Sequence, residues 1–174
     1  MSTFQKLRFL ILFILLAMTV GCDQTSKHFA RLTLSYDTPI ELPGGLGELR
    51  LADNPGSFLS LGASMPPAWR LALLTLGVGA ALMAVFIYLV RNPTPGWLSF
   101  LGLTLLCSGG VSNLIDRITR HGLVTDFVFL RLGPLHTGIF NFADCLIVAG
   151  FVALMYSSFR QSGGKGTAQT QAGS

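Results

Sequence analysis

Leu71–Val90 reads LALLTLGVGAALMAVFIYLV, twenty residues without a charge. A helix rises about 1.5 Å per residue, so this run covers the roughly 30 Å of a bilayer's hydrocarbon layer. Only a helix or a closed barrel satisfies its own backbone groups there. Working outward, Trp97–Ile115 is a second uncharged run, loosened by Gly102, Gly109, Gly110, Ser108 and Ser112. Phe140–Phe159 is a third, with one carboxylate, Asp144, near its start. Upstream, Phe9–Cys22 is apolar for 14 residues behind Lys6 and Arg8. A signal peptide has the same pattern, but the run is read here as another span, ending near Asp23.

Composition agrees. Of 174 residues 51% are hydrophobic and only 11% charged, with a mean hydropathy of +0.59. A soluble domain carries roughly 25% charged residues, so a disordered chain is excluded and a membrane protein is the default expectation over a soluble globule. The net charge of +4 does not indicate nucleic acid, because no Lys/Arg cluster is longer than two residues. The expectation is an all-α membrane protein with four transmembrane helices over about 7–25, 68–90, 97–116 and 140–160. These form a single integral domain, 1–160. The Gly/Ser/Thr/Gln-rich tail 161–174 is expected to be disordered.

Four crossings leave both termini on one side. That side holds Lys6, Arg8, Arg91, Arg160 and Lys165 on very short segments, with no acidic residue. The positive-inside rule therefore places both termini in the cytoplasm and the two long connections outside. The first connection, Asp23 to Pro67, has Pro43-Gly-Gly45 between two stretches of strand character, Thr38–Leu42 and Glu48–Ala52. It reads as a small β-hairpin at the membrane surface. The second includes Leu123–Leu130, rich in Val and Phe and interrupted by Asp126.

Ionisable groups at membrane depth are costly and mark function. Here they gather at the outer ends of the spans. Asn113, Asp116 and Arg117 share one helix face at i, i+3 and i+4. Asn141 and Asp144 stand at i, i+3, and Asp23 and Lys27 at i, i+4. Asp116–Arg117 and Asp23–Lys27 read either as local ion pairs fixing helix ends or as parts of a site. Asp126 and Asp144 have no adjacent basic residue. Two such carboxylates can share a proton, one acting as base and one as acid, and this suits activation of water for peptide hydrolysis. A proton or ion relay in a small transporter is the alternative.

Other chemistries fit poorly. His28, His121 and His136 lack HExxH or HxxEH spacing, and Cys22, Cys107 and Cys145 lack CxxC spacing, so no metal site is expected. A Ser–Lys dyad would need a neutral outer lysine, and Lys27 has Asp23 beside it to hold it protonated.

Five motifs in order carry a resemblance: Asp23-Gln24-x-x-Lys27; Asn54-x-Gly56 followed by Ser60; Asn113-Leu-Ile-Asp116-Arg117; Gly122-x-Val124-x-Asp126-Phe127; and Phe140-Asn141-x-Ala143-Asp144. Over residues 5–160 the chain resembles the lipoprotein signal peptidases (signal peptidase II, peptidase A8 type), aspartyl endopeptidases of the bacterial inner membrane. The resemblance implies a catalytic dyad of Asp126 and Asp144. Asn54, Gly56, Asn113, Arg117 and Asn141 would line the site, hold substrate backbone or position the aspartates. Asp23, Lys27 and Asp116 would support it. It further implies four transmembrane helices with a periplasmic β-cradle and a short surface helix, no metal or organic cofactor, and a monomer in contact with membrane lipid. The implied partner is a diacylglyceryl-modified prolipoprotein, cut before its lipidated lipobox cysteine.

The chain departs from the family in two places. Pro55, Ser57, Phe58 and Leu59 stand in a loop that usually reads Asn-x-Gly-Ala-Ala-Phe-Ser, and Ser108 and Ser112 replace common glycines. Both bear on substrate preference and inhibitor sensitivity and leave a diverged paralogue as an alternative. Thr19-Val-Gly-Cys22 resembles a lipobox, so a lipoprotein is a further alternative, with Thr19 where Leu is typical.

Overall fold

The computed structural model describes residues 3–56, 65–66, 68–69, 72–92 and 96–171, with 162–171 as backbone only. Four helices are long and apolar enough to cross a membrane: α1 (Thr3–Thr33), α2 (Ala72–Arg91, opening with a π-helical segment Ala72–Gly77), α3 (Trp97–Thr119) and α4 (Phe142–Gln171, apolar to Gln161). Their outer surfaces are apolar, with Leu10, Phe13, Met18, Leu76, Met83 and Phe151 among the exposed side chains. The interior carries the polar groups. The molecule is therefore apolar outside and polar inside, as a hydrocarbon solvent requires.

The helix α3 packs against the other three and explains its own sequence. Its buried face is Gly102, Thr104, Cys107, Ser108, Gly109, Gly110, Ser112, Asn113, Asp116 and Arg117. Small residues let backbones approach, which drives helix association where lipid and side chain are equally apolar. At Gly109 a Cβ would lie 2.4 Å from the Ala143 carbonyl oxygen, so only glycine fits against the start of α4. Thr104 and Ser108 donate to carbonyl oxygens one turn back, satisfying themselves within the helix (2.8 Å each). At the opposite end from the charged cluster, Leu12, Leu89 and Phe100 form an apolar core joining α1, α2 and α3.

Above the helices lies a four-stranded antiparallel sheet in the order β1 (Ile40–Glu41), β2 (Gly47–Asn54), β3 (Val124–Leu132), β4 (Leu135–His136). The expected hairpin is its first half, turned by a 3-10 segment over Pro43–Gly45 in which Gly44 and Gly45 take positive φ. Gly47 approaches β3 so closely that a Cβ would meet the Phe129 carbonyl. The sequence had not paired the two outer connections. In the structure β2 and β3 join them, with an irregularity between Leu49 and Ala52.

Several boundaries differ from expectation. The helix α1 continues to Thr33, about two turns past residue 25. Asp23, Lys27 and Arg31 recur every four residues, so a polar stripe facing α3 and then β3 replaces the apolar one and the helix goes on. It passes unbroken through Cys22, where the lipobox alternative would put a cleavage point. The backbone of α4 stays helical to Gln171, over part of the tail expected to be disordered; no proline follows Phe142 to stop it. The implied surface helix, and Phe58 and Ser60 of the loop motif, lie outside the described residues.

Candidate active site

The helices α1, α3 and α4 and the strands β2 and β3 deliver polar residues to one end of the bundle. Asn141 and Asp144 open α4 as a reciprocal cap: the Asp144 N–H donates to Asn141 Oδ1 (3.1 Å), and the Asn141 N–H donates to Asp144 Oδ2 (3.1 Å). This is the capping-box arrangement, which satisfies donors that a helix N-terminus leaves free. A third such donor, the Ala143 N–H, goes to Asp23 Oδ1 on α1 (2.7 Å). Local helix-start chemistry thus fixes the Asp144 carboxylate before any partner is considered.

Asp126 arrives from the opposite direction, on β3. The Asn141 side-chain amide donates to its Oδ1 (2.6 Å) and the Asn54 amide, from the end of β2, to its Oδ2 (2.8 Å). Asn141 therefore touches both aspartates, through its side chain and its main chain. Asn113 completes the link, donating to Asp144 Oδ1 (3.0 Å). Among the described residues no basic side chain lies within ion-pair distance of Asp126 or Asp144. Both are buried. Burial pushes Asp126 up to about 7, against the pull of the Asn54 amide, and the charge of Asp144 adds to the rise.

A second cluster lies beside the first and is organised differently. Lys27, with no exposed surface, bonds Asp23 Oδ2 (2.7 Å), Asp116 Oδ2 (3.3 Å) and Asn113 Oδ1 (2.8 Å). The Asp23–Lys27 pair forms within α1 as the i, i+4 spacing suggests, and Lys27 extends it to α3 through Asp116 and Asn113. Asp116 turns to Lys27, not to Arg117. The Arg117 guanidinium instead donates to the carbonyls of Asn113 (3.3 Å) and Gly56 (2.6 Å). Gly56 also donates its N–H to Asn54 Oδ1 (2.9 Å), so Arg117 and Asn54 together hold the loop after β2. The sequence motifs therefore meet in one place, through partners that spacing did not reveal.

Three contributors were missed. Gln24 donates to Ser112 and to Asp116 Oδ1 (3.1 Å), and Ser112 donates to Asp23 Oδ2 (2.7 Å). The Thr125 N–H donates to Asp116 Oδ2 (3.0 Å). Gln24 stood inside a motif and Ser112 was visible as a departure, whereas nothing local marked Thr125. Beside Asp144 a cleft of about 490 Å³ is lined by Thr137, Phe140, Cys145, Val148 and Ala149. Among the described residues no group of three or more His, Cys, Asp or Glu side chains is arranged to hold a metal ion.

Four membrane-length helices with a buried polar cluster at one end, roofed by a small sheet, define a multi-pass membrane protein. Residues 15–160 match the family described as Signal peptidase (SPase) II, and the chain belongs to that family. It is 35% identical over 139 residues to the lipoprotein signal peptidase of Hydrogenovibrio crunogenus, covering 79% of this chain and 78% of the relative. It is 36% identical over 138 residues to that of Desulforapulum autotrophicum, covering 79% and 84%. In fold it is similar to a bacterial membrane enzyme solved by the in meso method at 2.3 Å, with a TM-score of 0.78, 18% identity, and coverage of 89% of this chain and 91% of the other.

Proposed function

We propose that this chain is an aspartic endopeptidase that removes signal peptides from diacylglyceryl-modified prolipoproteins, with Asp126 and Asp144 as its dyad. The observation that carries this reading is the pairing of two buried carboxylates through Asn141, with no cation among the described residues in contact with either. One of them, ionised, takes a proton from water. The other, protonated, donates a hydrogen bond to the scissile carbonyl and later gives its proton to the leaving amine. Family membership supports the substrate class. The apolar cleft beside Asp144 suits a substrate whose acyl chains stay in the bilayer.

The surrounding residues take supporting parts. Asn54, Asn113 and Asn141 hold the carboxylates in position for water and peptide. Arg117 and Gly56 fix the loop beside Asn54. Arg117 Nε is buried with no partner among the described residues, a spare donor for a substrate carbonyl. Lys27, Asp23 and Asp116 make the framework. Lys/Arg content places both termini in the cytoplasm, with the sheet and dyad at the periplasmic face of the inner membrane. The peptidase acts as a monomer and needs no cofactor.

The test is incubation of the purified protein in detergent with a prolipoprotein, with and without its diacylglyceryl group. The expected result is one cut immediately before the lipidated cysteine, seen by mass spectrometry, and none in the unmodified chain. Equal cleavage of both forms would remove the lipid from the reading, and no cleavage of either would remove the peptidase.

A further inference from the structure

Thr125 precedes Asp126, and successive side chains on a strand point to opposite faces. While Asp126 faces the asparagines, Thr125 is fully buried on the other face and receives two arginines. Arg31 Nη1, from the last turn of α1, donates to Thr125 Oγ1 (2.9 Å). Arg120 Nη1, from just beyond α3, donates to the same oxygen. Arg120 is itself held by Asp53 on β2 (2.8 Å), whose other oxygen accepts from Tyr36 (2.9 Å). The Thr125 main chain is tied to Asp116 as well. One residue of β3 is thus gripped from α1, α3 and the chain just beyond it.

The grip matters because the sheet's register breaks close to this residue. The β2–β3 ladder is irregular between Leu49 and Ala52, next to the Ala52–Asp126 pair. Both bonds to Asp126 come from asparagine amides at short distance, so a small displacement of β3 would lengthen them. Hydrogen bonds from guanidinium groups are strong, and a buried hydroxyl accepting two of them resists displacement.

We propose that Thr125 is a positioning residue for Asp126: its hydroxyl is the common acceptor for Arg31 and Arg120, and this clasp holds the strand so that Asp126 meets Asn54 and Asn141. The clasp's role in turnover rests on the peptidase reading, but its geometric effect does not. The charged groups around the strand are Arg31 and Lys27 on α1, Asp116, Arg117 and Arg120 on or just beyond α3, Asp53 on β2 and Asp144 on α4. Thr125→Val leaves every one of these in place and removes only the shared acceptor.

Two readouts on the full chain in detergent test the clasp. The first is the pH midpoint of the Asp126 carboxyl stretch by infrared difference spectroscopy, identified by its loss in Asp126→Asn. In Thr125→Val the midpoint is expected to rise by roughly 0.5–1 pH unit, because the amides that favour the carboxylate are drawn away. The second is cleavage of the diacylglyceryl-modified prolipoprotein: kcat is expected to fall roughly tenfold with KM unchanged. Thr125→Ser keeps the acceptor and restores both. Arg31→Gln, which leaves the threonine intact, shifts both readouts in the same direction by less. A wild-type midpoint in Thr125→Val overturns the proposal, as does a Thr125→Ser variant as impaired as the valine. A wild-type protein that cleaves nothing defeats the peptidase reading instead, while the midpoint still decides the clasp.

Discussion

Two groups of carboxylates sit side by side at the same end of the bundle, and the same residue type is treated in opposite ways. Asp23 and Asp116 share a lysine with no exposed surface. Among the described residues, Asp126 and Asp144 receive only amide and main-chain N–H donors. Asn113 is the boundary, accepting from Lys27 on one side and donating to Asp144 on the other. A buried carboxylate bonded to a cation ties one helix to the next. One held by neutral donors keeps its place while its proton stays negotiable. On the proposed reading, this difference separates framework from chemistry more sharply than burial or depth does.

The largest effect should come from removing the cation. Lys27→Met leaves Asp23 and Asp116 buried without their partner, and breaking such a pair costs about 3–5 kcal/mol. Thermal unfolding in detergent should show a large loss of stability, partly recovered when both aspartates are also made Asn. A smaller effect, on rate and not on folding, is expected on the amide side. Asn141→Ala removes one of the two amide donors to Asp126 and half of the α4 cap, and should lower kcat by roughly a hundredfold with the fold retained. If Asn141→Ala unfolds the protein and Lys27→Met merely slows it, the two clusters have been assigned the wrong way round.

Next is a pH effect that belongs to Asp126. Burial lifts Asp126 to about 7 from the 3.8 of a free carboxyl. Between those values the folded chain holds a proton that the unfolded chain has shed. The stability this group contributes is therefore complete below pH 3.8 and lost as pH rises through about 7. Asp126→Asn, which cannot ionise, should gain stability relative to wild type as pH goes from about 5 to 8, measured by denaturation at each pH. The smallest effect belongs to the exposed rim. Tyr36→Phe removes a solvent-exposed bond to Asp53 and should change stability by no more than about 0.5 kcal/mol.

Sequence legibility followed the range of the interaction. The spans could be read because hydrocarbon solvent writes itself into consecutive residues, and the Pro43–Gly45 turn because its backbone demands glycine locally. Asp126 and Asp144 stood out through the absence of a neighbouring cation, and family motifs gathered Asn54, Asn113 and Asn141 around them. What stayed hidden was partner choice. Asp116 is adjacent to Arg117 in sequence yet bonds Lys27 across the bundle, because helix neighbours at i, i+1 diverge by about 100°. The extension of α1 was missed for a related reason: its stripe of Asp23, Lys27 and Arg31 is polar, and it finds partners only once α3 and β3 are in place. The β2–β3 pairing and Thr125 were invisible because neither leaves a local periodic trace.

The central claim is that the cation-free pair does the chemistry, and single-turnover cleavage tests it most directly. Asp126→Asn and Asp144→Asn would each be assayed with the diacylglyceryl-modified prolipoprotein at a folded fraction matched to wild type by circular dichroism. Each variant is predicted to keep its fold and substrate binding, with the chemical step slowed at least about a thousandfold. Cleavage by either variant within about tenfold of wild type would contradict the account.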